Sequence, residues 1–507
     1  MRKTLNALVG LTLVSAALMT APPLARATAT DAPPCPRDLS PQAQGMPDTE
    51  RIFSWVEDVT RLGKRLTGTE GGRKAAAYVK CQFEALGLQD VHYETATSWL
   101  WQADRSSLSV NGRTINSFPV SYSFVTPDKP SVFSTGPGGL QAVVVDVGDG
   151  SGLRITPERV KGKVVVFDLK FQMSAAAFLP FVDFIHDPKL TLFDATLFTA
   201  NPYITNLSKV VEKLQEAGAI GFVGVLSDYY DSNRYHNEYY RRTQMKLPGV
   251  WVTKTDGAAL RAIMKATGGA PRANLVLEGS RTEVEGRAVV GVLPGLTQET
   301  ILMTSHHDSV SSGAVEDASG VGSLLVQLQH AASKPLAERQ KTLLFATMDT
   351  HFTGYQVHQA FTDKYVIKKE TPYRLVAGVT LEHVAKQGVI KDGKLVMREQ
   401  PELMGIMNNF SRQVRRELHA SMVHHDLRRS VTLKAGLLCN TVGLPTDASF
   451  WCRAGLPSAS LIAAPVYLYD EDDTLDKVAK DQLLPVAKVF ADLVDTLDRT
   501  PADQIGQ

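Results

Sequence analysis

Apolar and polar positions recur with different periods along this chain, and the change of period divides it. From Thr49, the residues Ile52, Phe53, Val56 and Val59 fall on one helical face, until Gly68-Thr69-Glu70-Gly71-Gly72 interrupts them. Ala75 to Leu86 predicts a second amphipathic helix, stopped by Gly87. Residues 106–170 read as β structure: Val143-Val144-Val145 and Val164-Val165-Val166 are strand runs, and Asn111-Gly112 is a hairpin turn. A helix over about 206–216 leads through Gly218 into a strand from Ile220 to Val225. Gly249 to Val252 is a further strand, followed by a helix near 256–266. From residue 288 the texture becomes strand–helix alternation. Val289–Leu293, Thr300–Met303, Leu343–Met348, Leu375–Leu381 and Ala459–Val466 predict strands, and Gly320–Ala332, Leu403–Leu418 and Val478–Leu497 predict helices. Near-continuous apolar strands between helices indicate an α/β fold, a sheet covered on both faces.

The N-terminus changes this picture. Met1-Arg2-Lys3, the apolar run from Leu5 to Met19 and Ala25-Arg26-Ala27 have the three parts of an export signal. Residues 1–27 are therefore expected to be a signal peptide and 28–50, rich in Pro, Ala and Thr, a mobile lead-in. An uncleaved anchor is the competing reading, but the run is short for a bilayer and no later stretch is long enough, so no membrane span is expected. The protein is expected to be secreted or periplasmic. With 54 Lys and Arg against 53 Asp and Glu, the net charge of +1 gives no footprint for nucleic acid or an anionic membrane. Four cysteines in an exported chain are compatible with two disulfides, and proximity in sequence suggests Cys35–Cys81 and Cys439–Cys452.

In an open α/β sheet, ligands sit beyond the carboxyl ends of the strands. After Ile301-Leu302-Met303 come His306-His307-Asp308 and then Glu316-Asp317; after Leu343-Leu344-Phe345 come Asp349 and His351; after Val379-Thr380-Leu381 come Glu382 and His383. A single histidine is more often an ordinary hydrogen-bonded residue. Three strand ends carrying imidazole and carboxylate together point to a metal or acid–base site, because these are the donors zinc, manganese and iron accept. His419 and His424-His425, and the charge runs near 336–341 and 470–481, read as solvated.

At these residues the chain resembles the zinc aminopeptidases that include glutamate carboxypeptidase and the transferrin-receptor-like proteins. Thr304-Ser305-His306-His307-Asp308-Ser309 resembles the (G/S)-A-H-x-D-S strand end of that family, and Glu316-Asp317-Ala318-Ser319-Gly320-Val321 its D-(D/N)-A-S-G-V helix start. Arg65-Leu66-Thr67-Gly68-Thr69-Glu70-Gly71 resembles R-x-T-G-(S/T)-x-G, and Thr446-Asp447 through Ala454-Gly455-Leu456-Pro457 resembles S-D-x-x-x-F…A-G-I-P. Asp473-Thr474-Leu475-Asp476-Lys477-Val478 is similar to the start of the family's last helix. Lys161 to Val166, Ala217 to Gly221 and Leu247 to Val250 resemble a protease-associated domain. The resemblance implies a zinc-exopeptidase-like mixed sheet with that β-rich domain inserted: residues 51–127 and 286–507 would form the peptidase-like domain and 128–285 the insertion.

For the site, the resemblance implies two metals sharing one carboxylate, but the carry-over is lopsided. One metal keeps His306, Glu382 and the shared carboxylate at Glu316, for which Asp317 is a possible substitute, with Asp308 placed to orient His306. Asp349-Thr350-His351-Phe352-Thr353-Gly354 stands where the family has D-A-E-E-x-G, so the base glutamate becomes His351 and a ligand glutamate becomes Phe352. Tyr469 stands where the late ligand histidine is expected. Both losses fall on the second metal. The expectation is an amide hydrolase acting on peptides or N-acyl compounds with one divalent ion, zinc first, and with His351 as base; His351 as a fourth ligand, with His383 or Asp349 as base, stays open. The alternatives are an inactive member acting as a secreted binding module, and a metal-free acid–base or acyl-transfer enzyme.

Overall fold

The computed structural model describes residues 45–126, 129–237, 245–268, 270–441 and 443–506. The expected export signal lies outside these residues. Among the described residues no helix is long and apolar enough to cross a membrane.

One mixed sheet runs through the molecule, with helices on its faces. Its centre is the strand trio Lys341–Met348, Thr297–His306 and Arg374–Leu381, all parallel, with Ser458–Ala463 continuing the parallel run. His306 is level with Met348, and Thr304 with Thr380, so the three chains leave the sheet at one end. These strands are apolar throughout because both faces are covered. Ile301, Met303, Leu343 and Phe345 point into one core, and Leu302, Leu344, Ala346 and Met348 into the other, as a period of two requires. Helix Gly320–Ala332 is buried along almost its whole length, between Thr49–Arg61 and the C-terminal helix Lys480–Arg499.

The long strand Arg272–Leu293 pairs antiparallel with Lys341–Met348 at one end and with Leu140–Asp146 at the other. It thus joins the central sheet to a block of parallel strands, Leu140–Asp146, Val164–Asp168, Gly221–Leu226 and Gly249–Thr253. The expected boundary between residues 285 and 286 falls inside this continuous strand. Part of the intervening segment travels much further: Val182–His186 pairs antiparallel with Ser430–Lys434 at the opposite edge of the central sheet.

Two local expectations change. Leu403–Leu418 does not form one helix; Met404–Asn408 is a strand between Ser458–Ala463 and Ser430–Lys434, and the helix is Arg412–His424. A short apolar run fits either period, and here pairing on both edges decided it. The acidic run near 470 is solvated only in part: Glu471, Asp472 and Asp476 are exposed, while Asp470 and Asp473 are buried. The Cys439–Cys452 disulfide is present, with Cα atoms 5.6 Å apart. Cys81 is also disulfide-bonded, and its expected partner Cys35 lies outside the described residues.

Candidate metal centre

The segments leaving the three parallel strands are held by backbone contacts before any side-chain chemistry begins. The buried Arg65 guanidinium donates to the carbonyls of His307 (3.1 Å) and Gly313 (3.0 Å), clamping the loop after the His306 strand. Thr67 Oγ1 accepts from the Thr350 amide at 2.9 Å, tying the next loop to the same segment. The Asp473 carboxylate accepts the amides of Val315 (2.9 Å) and Glu316 (2.8 Å), which fixes where the Glu316 side chain starts. Asp317 accepts from the Gly320 and His383 amides, each at 3.1 Å, and from Ser305 Oγ at 2.7 Å.

On that frame three imidazoles meet one carboxylate. His306 Nε2 lies 3.4 Å and His351 Nε2 3.5 Å from Glu316 Oε1, and His383 Nε2 sits against Glu316 Oε2. Each ring is oriented from behind: His306 Nδ1–H faces Asp308 Oδ1 at 3.2 Å, His351 Nδ1–H faces Asp447 Oδ1 at 3.0 Å, and His383 Nδ1–H faces the Ala463 carbonyl at 2.9 Å. A carboxylate or carbonyl oxygen can only accept, so each ring donates from Nδ1, and in the neutral tautomer each Nε2 carries the lone pair. This is how proteins orient metal-binding histidines. Asp447 is shared: His358 Nε2–H donates to its Oδ2 at 2.8 Å, while its amide donates to Glu382 Oε1 at 2.9 Å.

Electrostatics follow from this crowding. Burial favours neutral imidazole, but Asp317, Asp308 and Glu316 overcome it and hold His306 well above its ordinary value. Burial acts in the same direction on His383, and Glu316 again overrides it, to about 10. Glu316 itself is lowered, because His383 and His306 outweigh its burial. Glu382 is raised well above the usual range by burial, with the Asp447 charge adding to it. Asp447 moves the other way, since His358 and His351 more than offset burial.

The residues fit a cation. His306 Nε2, both Glu316 oxygens and His383 Nε2 are buried, yet none makes a hydrogen bond of acceptable geometry. Leaving such atoms unmatched costs about 1–3 kcal/mol each, which a shared ion would remove. His306, Asp317 and His383 each offer a ligand atom within 4.8 Å of one another, as do His306, His351 and Asp447.

The other side of the cluster is aromatic. Phe352 and Tyr469, at the positions expected for the second metal's ligands, pack edge to face with ring centres 5.9 Å apart. Phe352 also lies 4.8 Å from the His351 ring, and Tyr203 packs on Tyr469 at 5.4 Å.

A cavity of about 1090 Å³ lies next to the cluster, without His351 or Asp447 in its lining. Tyr355, whose hydroxyl is 3.4 Å from His351 Nε2, and Thr446 line it near the cluster. Phe178, Phe181 and Tyr203 from the segment 171–205 form another wall. The phenylalanines of that segment do not act as one unit: Phe184 stacks on His419, while Phe193 and Phe198 are exposed. Tyr229, Tyr230 and Tyr235 are buried, and positions 238–244 lie outside the described residues.

All five residues singled out from the sequence (His306, Asp308, Glu316, His351 and Glu382) are buried in this cluster. Of four further members, His383 was expected only as an alternative base, and Asp447, His358 and Asp473 carried no expected function. Asp447 and Asp473 stood inside quoted motifs, and His383 followed Glu382, so a signal existed for three of them. His358, in a helix, offered none.

Residues 288–494 match the model of peptidase family M28, and the resemblance to the zinc aminopeptidases holds at that level. The fold is similar to that of a zinc aminopeptidase from Bacillus subtilis, at 16% identity and TM-score 0.63, covering 92% of this chain and 99% of that one. It is also similar to a peptidase M28 precursor from Shewanella amazonensis (17%, TM-score 0.63, 89% and 93% covered) and to an aminopeptidase from Aneurinibacillus sp. strain AM-1 (17%, TM-score 0.59, 88% and 93% covered). No curated protein matches the chain in sequence.

Proposed function

We propose that this chain is an exported, aminopeptidase-like metallohydrolase that cleaves peptide or N-acyl amide bonds with one metal ion, zinc first. The observation that carries this reading is the set of buried atoms without hydrogen bonds, His306 Nε2 and both oxygens of Glu316, facing one another at the ends of parallel strands. Zinc held there supplies Lewis acidity, polarising a carbonyl and acidifying water. His351 is the base: Asp447 holds its Nδ1–H and stabilises the imidazolium, which leaves Nε2 to take the proton from water. Asp308 orients His306, and Glu382 buttresses Asp447 through its amide. A single ion is supported by Phe352 and Tyr469, which offer no ligand in the role the family gives to glutamate and histidine. The cavity beside Tyr355 and Thr446 takes the substrate. Residues 128–285 are read as an inserted protease-associated domain, and residues 1–27 as the export signal.

Metal analysis of the purified mature chain, with hydrolysis of aminoacyl and N-acyl amides measured with and without chelator, tests the reading. About one zinc per chain and chelator-sensitive hydrolysis are expected. Hydrolysis that chelator leaves untouched would turn the site into a metal-free acid–base centre. Neither metal nor hydrolysis would leave an inactive binding protein.

A further inference from the structure

We propose that His383 is a metal ligand through Nε2, completing with His306 and Glu316 a two-histidine, one-carboxylate set in place of Glu382. The inference rests on the metallohydrolase reading above and departs from the ligand set that the family motif transfers to this chain. In the set that the resemblance carries over, the metal takes Glu382, and His383 figures only as an alternative base.

Three features of His383 point to this role. Its backbone is in the left-handed region, at φ +42°, a conformation that non-glycine residues adopt at a cost and that clusters at functional sites. Its amide is fixed by Asp317 at 3.1 Å and its Nδ1–H by the Ala463 carbonyl at 2.9 Å, so ring position and tautomer are both set. The remaining nitrogen, Nε2, is buried, makes no hydrogen bond and faces Glu316 Oε2, while His306 Nε2 faces Oε1.

Glu382 is the weaker ligand. Its Oε1 already accepts the Asp447 amide at 2.9 Å, and among the described residues it stands in neither group whose ligand atoms all lie within 4.8 Å of one another, whereas His383 stands in one. The chain has therefore lost an imidazole at Tyr469 and gained one at His383. Two histidines and a glutamate are a known catalytic zinc set that keeps a fourth position open.

The test compares zinc affinity by chelator competition, and the rise in Tm on zinc addition, in the full mature chain and in His383→Asn and Glu382→Gln. Asparagine tolerates positive φ, so the backbone is little disturbed. His383→Asn is expected to lose at least about 100-fold in zinc affinity and most of the Tm rise, more than an outer-shell partner would cost. Glu382→Gln is expected to stay within a few-fold of the parent. Zinc-edge X-ray absorption on the unmutated protein, which needs no variant to fold, should show two imidazoles. Retained zinc affinity in His383→Asn, or a single imidazole at the metal, overturns the proposal and leaves the metallohydrolase reading standing. A parent chain that binds no zinc overturns both.

Discussion

The two halves of this site differ in what fills them. Around Glu316 stand His306, His351 and His383, polar and buried, and His306 Nε2, His383 Nε2 and both Glu316 oxygens make no hydrogen bond. A few ångströms away, beside the His351 ring, Phe352 and Tyr469 pack edge to face. The second half has no vacancy left by missing ligands; it is core. Well-packed apolar side chains are often as stabilising as the buried charges they replace, so losing one metal's ligands need not have weakened the fold. What is retained has no such excuse: clustered buried charge costs stability, and its persistence on one side only argues for a use there.

The largest effect that would break this contrast is at its polar end. His306→Ala should abolish metal binding and lower amide hydrolysis by at least about 10³-fold, read from metal per chain and initial rates on the same sample. Normal turnover in that variant would remove the polar half from the chemistry. Changing the residue between the halves should separate binding from proton transfer. His351→Gln is expected to lower kcat by about 10²- to 10⁴-fold while the zinc content stays at the parent level; lost zinc would instead make His351 a ligand.

The aromatic half should show up in stability instead. Phe352 is 2% exposed, and Phe352→Ala should cost about 3–5 kcal/mol in denaturant unfolding, with the metal stoichiometry unchanged. The smallest effect concerns a carboxylate outside both halves. Burial, with no imidazole beside it, pushes Glu402 up to about 7, whereas three imidazoles surround the lowered Glu316. Between about pH 4.5 and 7 the unfolded chain has released this proton and the folded chain has not, so Glu402 makes stability fall as pH rises through that window. Glu402→Gln should flatten that fall by about 1–2 kcal/mol across chemical unfolding curves at pH 5 and 7.

Much of the fold was legible because apolar runs covered on both faces need no tertiary information to be recognised as strands. Helix Gly320–Ala332 runs over the residues its pattern predicts, and the central strands agree to within a few positions. Met404–Asn408 was not legible, since a five-residue apolar segment fits a helix or a strand until its neighbours are placed. Nor was the reach of Val182–His186 to the far sheet edge, which depends on a partner strand almost 250 residues later in the chain.

The same division runs through the site. The sequence by itself determined that His306, Glu316, His351 and Glu382 would collect, because residues following parallel strands leave the sheet at one end. It also put Phe352, a side chain with no donor atom, and Tyr469 at the positions where the resemblance expects a ligand glutamate and histidine. Asp308 was already placed by the sequence to orient His306, but only the tertiary structure decided which nitrogen His351 and His383 present, since that is set by Asp447 and the Ala463 carbonyl, contributed by segments remote in sequence. It likewise put His383 against Glu316 and turned Glu382 toward the Asp447 amide. Sequence order brings neighbouring residues to one place, but the hydrogen bonds behind them fix the direction in which each side chain acts.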